Sequence, residues 1–211
     1  MSDTIELHAE TAGPALIIHR GGRGKADIRK DPDGDGGRIL KDFSAKSWLT
    51  RLLGRYQVGR EIRALRQLRG LPGIPEYHRR VGAHGLLMER MEGERITRWC
   101  ARHPGQRSAM FDRLTRLVEL MHRLGVAHMD LRKRDNILIT SDGRPNVIDF
   151  NASLCFRPGT RVTRIFFRFF RHIDTAAIFK WKYRLAPELL TPSERKTHRR
   201  MTFLRRFWVF N

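Results

Sequence analysis

Three oxygen-bearing side chains near the middle of the chain, Asp130, Asn136 and Asp149, have the types and spacing to do chemistry. They lie in two runs, His128-Met129-Asp130-Leu131-Arg132-Lys133-Arg134-Asp135-Asn136 and Val147-Ile148-Asp149-Phe150. Between the runs the sequence reads as a hairpin: residues 137–140, a Ser141-Asp142-Gly143-Arg144 turn, and residues 146–148. A turn centred on Asp142-Gly143 puts Asn136 six residues before it and Asp149 six residues after it, facing each other at the open end. Antiparallel pairing there brings Cβ atoms to about 4.5–5.5 Å. Two converging oxygen donors suit Mg2+, which keeps few protein ligands and fills its shell with phosphate oxygens and water. Asp130, a short loop upstream, is placed to accept a proton from an attacking hydroxyl. Each of these residue types alone commonly caps a turn, but the set of three on one hairpin points to a reactive site.

The residues carry a family likeness. His128-Met129-Asp130-Leu131 followed by Asn136 resembles the H-x-D-L…N catalytic loop of protein-kinase-like enzymes, and Asp149-Phe150-Asn151 resembles their D-F-G metal motif. The resemblance implies that Asp130 is the catalytic base, that Asn136 and Asp149 are metal ligands, and that His128 is a structural brace for the loop. It also implies ATP as phosphate donor and Mg2+ as the metal, with Mn2+ an alternative. The gap from Asp130 to Asn136 is one residue longer than in ordinary protein kinases, and Asn151 replaces the glycine. Asp135 occupies the ordinary spacing and competes with Asn136 for the metal. Both departures resemble bacterial kinase-like proteins of the lipopolysaccharide-core (Kdo-type) and RIO-type groups, and the likeness runs from about residue 38 to residue 194.

The same resemblance requires a lysine on an early strand for the α- and β-phosphates, paired with a glutamate on the next helix. Lys41 in Arg38-Ile39-Leu40-Lys41-Asp42-Phe43 and Glu61 in Arg60-Glu61-Ile62-Arg63-Ala64-Leu65 stand in that order. Leu86-Leu87-Met88-Glu89-Arg90-Met91-Glu92-Gly93 resembles the segment joining the two lobes, where backbone groups of Glu89 and Met91 would bind the adenine ring. Gly21-Gly22-Arg23-Gly24 offers backbone N–H groups to phosphate but does not match G-x-G-x-x-G, so phosphate loop and ordinary turn both stay open. Asp31-Pro32-Asp33-Gly34-Asp35-Gly36 with Asp42 mimics a calcium loop, yet its neighbours read as strands, which favours a solvated hairpin turn.

These residues need elements to hold them. Residues 15–18 and 85–88 read as short apolar strands and residues 38–43 as an alternating one, with Ile39, Lys41 and Phe43 on one face. Residues 21–37 read as turn or loop. Helical spacing spans residues 49–68, ended by Gly70 and Pro72-Gly73-Ile74-Pro75. A second helix spans residues 110–124, with Leu114, Leu117, Val118 and Met121 on one stripe. From Arg161 onward the chain reads as helical, basic and aromatic. Thr191-Pro192-Ser193-Glu194 fits a helix capping box better than Ala186-Pro187-Glu188 fits a kinase A-P-E motif. The expected fold is α+β: a compact protein-kinase-like fold with a small β-rich N-lobe over residues 1–92 and a truncated helical C-lobe over residues 93–211.

Charge bears on the acceptor. Lys and Arg number 42 against 22 Asp and Glu, a formal net charge of +20, which attracts nucleic acid, anionic lipid headgroups or acidic small molecules and repels polycations. Arg161, Arg164, Arg168 and Arg171 recur at helical spacing beside Phe166, Phe169, Phe170 and Ile173, and residues 203–210 have the same character. Such a helix either lies on an anionic membrane or packs its aromatic side inward and leaves the arginines in solvent. The leading expectation is phosphorylation of a hydroxyl on an anionic glycolipid such as a lipopolysaccharide core sugar. The alternatives are a compact serine/threonine protein kinase, a RIO-like nucleic-acid-associated kinase or ATPase, and a non-enzymatic nucleotide-binding scaffold. Glycolipid, protein and RNA therefore remain as acceptor classes. Cys100 and Cys155 show neither metal spacing nor a disulfide framework, residues 1–8 show no secretory signal, and no run of roughly 18 apolar residues would span a membrane. A cytoplasmic protein is expected, with a peripheral contact on the inner face of the cytoplasmic membrane.

Overall fold

Alternating side chains such as those of Arg38–Asp42 suit a sheet with one face covered, and that strand lies at the centre of the first sheet. The computed structural model describes residues 17–22, 24–31, 36–156, 161–192 and 194–195, and of residues 161–166 the backbone. The strands are β1 (Ile17–His19), β2 (Asp27–Lys30), β3 (Arg38–Asp42), β4 (Tyr77–Val81) and β5 (Gly85–Glu89), in the sheet order β1-β2-β3-β5-β4. β3 pairs antiparallel with β2, placing Lys41 opposite Ile28, and with β5, placing Lys41 opposite Leu86. β2 falls within the stretch expected to be loop. Asp-Ile-Arg-Lys has only one apolar residue, and pairing with a strand on each side makes it a strand nonetheless. β2 and β3 are antiparallel neighbours, and residues 32–35 of the calcium-like run between them, expected to form a hairpin turn, lie outside the described residues.

Helix α1 (Trp48–Gln67) follows, then α2 (Ile96–Arg102), α3 (Arg107–Arg123) and α4 (Arg161–Leu185). Gly54 lets α1 pass close to Phe43: a Cβ there would sit 2.4 Å from the phenyl Cγ. The stripe expected on α3 is buried, with Met110 and Phe111 added to Leu114, Leu117, Val118 and Met121. Two small sheets accompany these helices. One orders β6 (Glu94–Arg95), β8 (Ile137–Ile139) and β9 (Pro145–Val147) as β6-β8-β9; the other pairs β7 (Val126–Ala127) with β10 (Leu154–Cys155). The Val147 N–H donates to the Gly73 carbonyl at 2.8 Å, so the proline-glycine turn after α1 satisfies an edge group of β9.

The chain divides into two compact units, Met1–Tyr56 with His78–Arg90, and Gln57–Tyr77 with Met91–Asn211. The first holds the five-stranded sheet and the start of α1. The second holds the rest of α1, the other helices and both small sheets. The expected capping box is present: the Thr191 N–H donates to Glu194 Oε2 at 2.8 Å and the Glu194 N–H to Thr191 Oγ1 at 3.2 Å. Cys100 and Cys155 are both free thiols.

Candidate active site

The hairpin that carries the site is in register Ile137↔Val147, Leu138↔Asn146 and Ile139↔Pro145. Asn136 therefore lies opposite Ile148, whose N–H donates to the Asn136 carbonyl at 3.0 Å, and Asp149 is one residue beyond. This corrects the expected facing of Asn136 and Asp149. The loop has three residues, Ser141-Asp142-Gly143, with Gly143 at φ 77°, and an odd loop length shifts the register by one. Asp149 itself takes φ 68°, a left-handed conformation uncommon for a residue with a Cβ. Its departure from strand geometry resets the direction of its side chain where simple alternation fails.

Asp149 and the short 3-10 turn after it, Phe150–Ala152, are held by the second half of α1. Glu61, buried, accepts from the Phe150 N–H through Oε1 at 3.3 Å. Arg60 donates from Nη2 to the Ala152 carbonyl at 2.5 Å and to the Ser153 carbonyl at 2.7 Å. The sequence placed Glu61 on this helix but gave Arg60 no part. A buried carboxylate and a guanidinium adjacent in sequence thus fix both ends of the segment that follows Asp149.

The loop at residues 128–136 is tied at almost every step. His128 is fully buried, its Nδ1 accepting from the Asp130 N–H at 3.3 Å and its Nε2 lying 3.0 Å from the Ile148 carbonyl. Those partners require the tautomer with the proton on Nε2. Burial pushes the imidazole below its ordinary value, against the pull of Asp174 and the Ile148 carbonyl toward the charged form. His128 thus links the loop to the strand end preceding Asp149. Asn136, also buried, donates from Nδ2 to the Asp130 carbonyl at 2.9 Å and more weakly to Asp130 Oδ2 at 3.4 Å, which leaves its amide oxygen to act as a ligand. Asp130 keeps some exposure and forms an ion pair with Lys133, a residue the sequence reading did not single out. Asp135 points elsewhere: more than half exposed, it pairs with Arg95 at 2.6 Å.

The strongest anchor is Asp174, which sequence reasoning missed. Fully buried on α4, its Oδ2 accepts from the His128 N–H at 2.8 Å and lies 3.0 Å from His122 Nε2. Its Oδ1 accepts from the Met129 N–H at 2.8 Å, and Met129 has φ 70°. Further along α4, Trp181 Nε1 donates to the Leu131 carbonyl at 2.8 Å and Lys180 Nζ to the Arg132 carbonyl at 3.1 Å. The signal was in the sequence: Asp174, Ala177, Ile178 and Trp181 fall at i, i+3, i+4 and i+7, and an acid on a buried stripe must find donors. The described part of α4 turns that stripe inward, while Arg168, Arg171 and Phe169 are exposed. The side chains of Arg161, Arg164 and Phe166 and the tail at residues 203–210 lie outside the described residues.

In the first unit, Lys41 is buried within β3. Glu89 closes β5 opposite Arg38, Met91 begins the second segment of the second unit, and the Arg90 N–H between them donates to the Gly37 carbonyl at 2.9 Å. The glycine run forms the turn between β1 and β2; Arg23 within it lies outside the described residues. The Gly21 N–H donates to Asp27 Oδ1 at 2.9 Å, and Lys46 Nζ reaches both the Gly21 carbonyl at 2.9 Å and Asp27 Oδ1 at 2.6 Å.

An antiparallel sheet carrying a buried lysine, followed by a helical unit with this loop and hairpin, is the protein-kinase-like fold. The profile of the lipopolysaccharide kinase (Kdo/WaaP) family matches residues 36–164, and the chain belongs to that family of kinases. A 3-deoxy-D-manno-octulosonic acid kinase of Stenotrophomonas maltophilia is 32% identical over 161 residues, covering 69% of this chain and 64% of the relative. Calcium-dependent protein kinase 21 of Oryza sativa is 36% identical over 119 residues, covering 53% of this chain and 19% of the relative. The chain thus spans less than two thirds of the length of either relative. Among solved structures, the Rio2 kinase–ADP/Mg2+–phosphoaspartate complex from Chaetomium thermophilum matches with a TM-score of 0.59 and 19% identity, over 88% of this chain and 60% of that one. The expected fold class and family agree with these likenesses.

Near the open end of the hairpin, the Asp149 carboxylate and the Asn136 amide oxygen are the hard oxygen donors that could hold a metal. Among the described residues no cluster of three or more His, Cys, Asp or Glu side chains could hold a metal. So sparse a set of hard oxygen donors fits Mg2+, which binds through one or two carboxylates with phosphate and water.

Proposed function

We propose that this chain transfers the γ-phosphate of ATP to a hydroxyl on an anionic glycolipid, such as a core sugar of lipopolysaccharide. The observation that carries the reading is the Asp130 carboxylate, partly open to solvent on a loop whose backbone is tied at His128, Met129, Asp130, Leu131 and Arg132. Asp130 accepts the proton of the acceptor hydroxyl as its oxygen bonds to the γ-phosphorus and the bond to the β-phosphate oxygen breaks. Lys133, paired with Asp130, adds positive charge where the transferred phosphoryl group carries negative charge. Asn136 and Asp149 would hold Mg2+, which when bound neutralises phosphate charge. Asp135, committed to Arg95 in solvent, is the weaker candidate for that role. Lys41 would hold the α- and β-phosphates, and backbone groups of Glu89 and Met91 the adenine ring; Glu61, the partner that the resemblance gives Lys41, accepts from the Phe150 N–H.

The glycolipid acceptor draws support from the family, from the Stenotrophomonas relative and from the net charge of +20. A serine/threonine protein kinase is the second reading, favoured by the likeness to the rice protein kinase. Labelled-ATP transfer to membrane glycolipid, total protein and RNA fractions in parallel tests the acceptor; label entering protein alone would overturn the first reading. Asp130→Asn should lower turnover by about 10²–10⁴-fold while Mg-ATP still binds. Turnover at the wild-type rate would remove Asp130 from the role of base.

A further inference from the structure

The first half of α1 presents large apolar side chains to solvent. Trp48, Leu49, Leu52, Leu53 and Tyr56 are between 51% and 71% exposed. They recur at i, i+1, i+4, i+5 and i+8, so they form one continuous stripe on a 3.6-residue helix. Gly54, which packs on Phe43, points the opposite way from that stripe. The segment is therefore apolar on its outward face, the reverse of an ordinary surface helix. Single exposed leucines need no explanation, but five adjoining large side chains mark a contact surface.

Charge identifies the partner. Residues 44–60 contain Lys46, Arg51, Arg55 and Arg60 and no acidic residue, and the first turn of α1 lacks the carboxylates that would complement its dipole. Arg51 and Arg55 are exposed and lie along one flank of the stripe. Leucines for the acyl boundary, Trp and Tyr for the headgroup level and arginines for phosphate are the composition of a helix lying in an anionic bilayer interface. No helix among the described residues is long and apolar enough to cross a membrane, so the contact is peripheral.

We propose that the outward face of α1 (Trp48, Leu49, Leu52, Leu53 and Tyr56, flanked by Arg51 and Arg55) docks this protein on an anionic phospholipid surface. Three leucines and an indole enter the interface while the arginines meet lipid phosphates. This surface lies on a different element from the basic aromatic helix suspected from sequence. It also stands independently of the acceptor, because a vesicle assay involves no phosphotransfer; failure of either proposal leaves the other in place.

The test is co-sedimentation of the full chain with vesicles of phosphatidylglycerol and phosphatidylcholine in equal parts, against phosphatidylcholine alone. Binding to the anionic vesicles is expected, with a blue shift of Trp48 emission that Trp48→Phe removes. Leu52→Gln/Leu53→Gln preserves net charge and changes only exposed positions; it should weaken binding by about tenfold or more at an unchanged melting temperature. Arg51→Gln/Arg55→Gln should lessen the preference for anionic vesicles. Wild-type binding by the leucine variant would overturn the proposal, as would absence of binding by the wild-type chain. A wild-type dimer that the leucine substitutions dissociate, without vesicle binding, would give this face to a second copy of the chain and overturn it as well.

Discussion

The loop at residues 128–136 and the glycine turn between β1 and β2 are both short and charged, yet they are held in different ways. The first rests on groups withdrawn from water: Asp174 accepts from two successive backbone N–H groups, and His128 and Trp181 bond loop or strand backbone. The second rests on one ion pair, buried Asp27 with the partly exposed Lys46, which also fastens Gly21. A buried network leaves its members no alternative partners in water, so it fixes one conformation and loses heavily when a member is removed. A partly exposed pair can exchange its bonds with solvent and confers less of both. Groups that must meet a reacting atom to within fractions of an ångström belong on the first kind of support.

Asp174→Ala tests that contrast with the largest expected effect. It strands the N–H groups of buried His128 and half-buried Met129 and the buried His122 side chain, at roughly 1–3 kcal/mol apiece. A loss of about 3–5 kcal/mol in urea unfolding is expected, a large part of the stability of an ordinary domain. A loss below about 1 kcal/mol would mean that the loop is not held by this carboxylate. Trp181→Phe removes the bond to the Leu131 carbonyl and also the five-membered ring of a buried indole, so about 2–3 kcal/mol is expected from the same measurement.

Acid should separate the two regions. Burial holds His128 below its ordinary value of 6.5, so below about that pH the unfolded chain takes up a proton that the folded chain refuses. The stability linked to His128 is present above 6.5 and falls as pH drops toward the lower folded value. Asp27 behaves differently. Burial alone would raise its carboxyl, but the hydrogen bonds from Lys46 and the Gly21 N–H outweigh burial and hold it below 3.8. Its contribution is present above 3.8 and fades only as pH falls through the folded value. Hydrogen exchange, corrected for its intrinsic pH dependence, should show the Met129 N–H losing protection between pH 7 and pH 5 while the Gly21 N–H does not, because protonation of His128 in the opened loop favours that opening. Equal behaviour of the two amides would erase the distinction.

The sequence made the chemistry more legible than its supports. Asp130, Asn136 and Asp149 stand out as candidates by type and spacing, and α1, α3 and α4 by period, because these signals are local. β2 and β4 (Asp-Ile-Arg-Lys and Tyr-His-Arg-Arg-Val) were not visible, since sheet neighbours rather than their own pattern make them strands. α2 has seven residues, too few for a period to show. The hairpin was recognised, but its register turned on one residue of loop length, which composition does not fix. Asp174 lies 46 residues from the His128 N–H that it accepts from, so its role depends on tertiary packing.

The smallest effect should follow from Asp135→Ala, and its smallness is informative. Asp135 and Asn136 are adjacent and both could have held a metal on spacing alone. Asp135 is exposed and paired with Arg95, whereas Asn136 is buried against Asp130. Loss of an exposed ion pair should change stability by less than about 1 kcal/mol. The Mg2+ concentration for half-maximal phosphotransfer should also stay within about twofold of wild type, because the substitution leaves the buried amide and the Asp149 carboxylate untouched. Asn136→Ala should instead raise that concentration and loosen the Asp130 carbonyl together. If Asp135→Ala raised it by about tenfold or more and Asn136→Ala did not, the solvent-facing residue would be the ligand. Buried positioning would then govern only the proton-accepting half of the site.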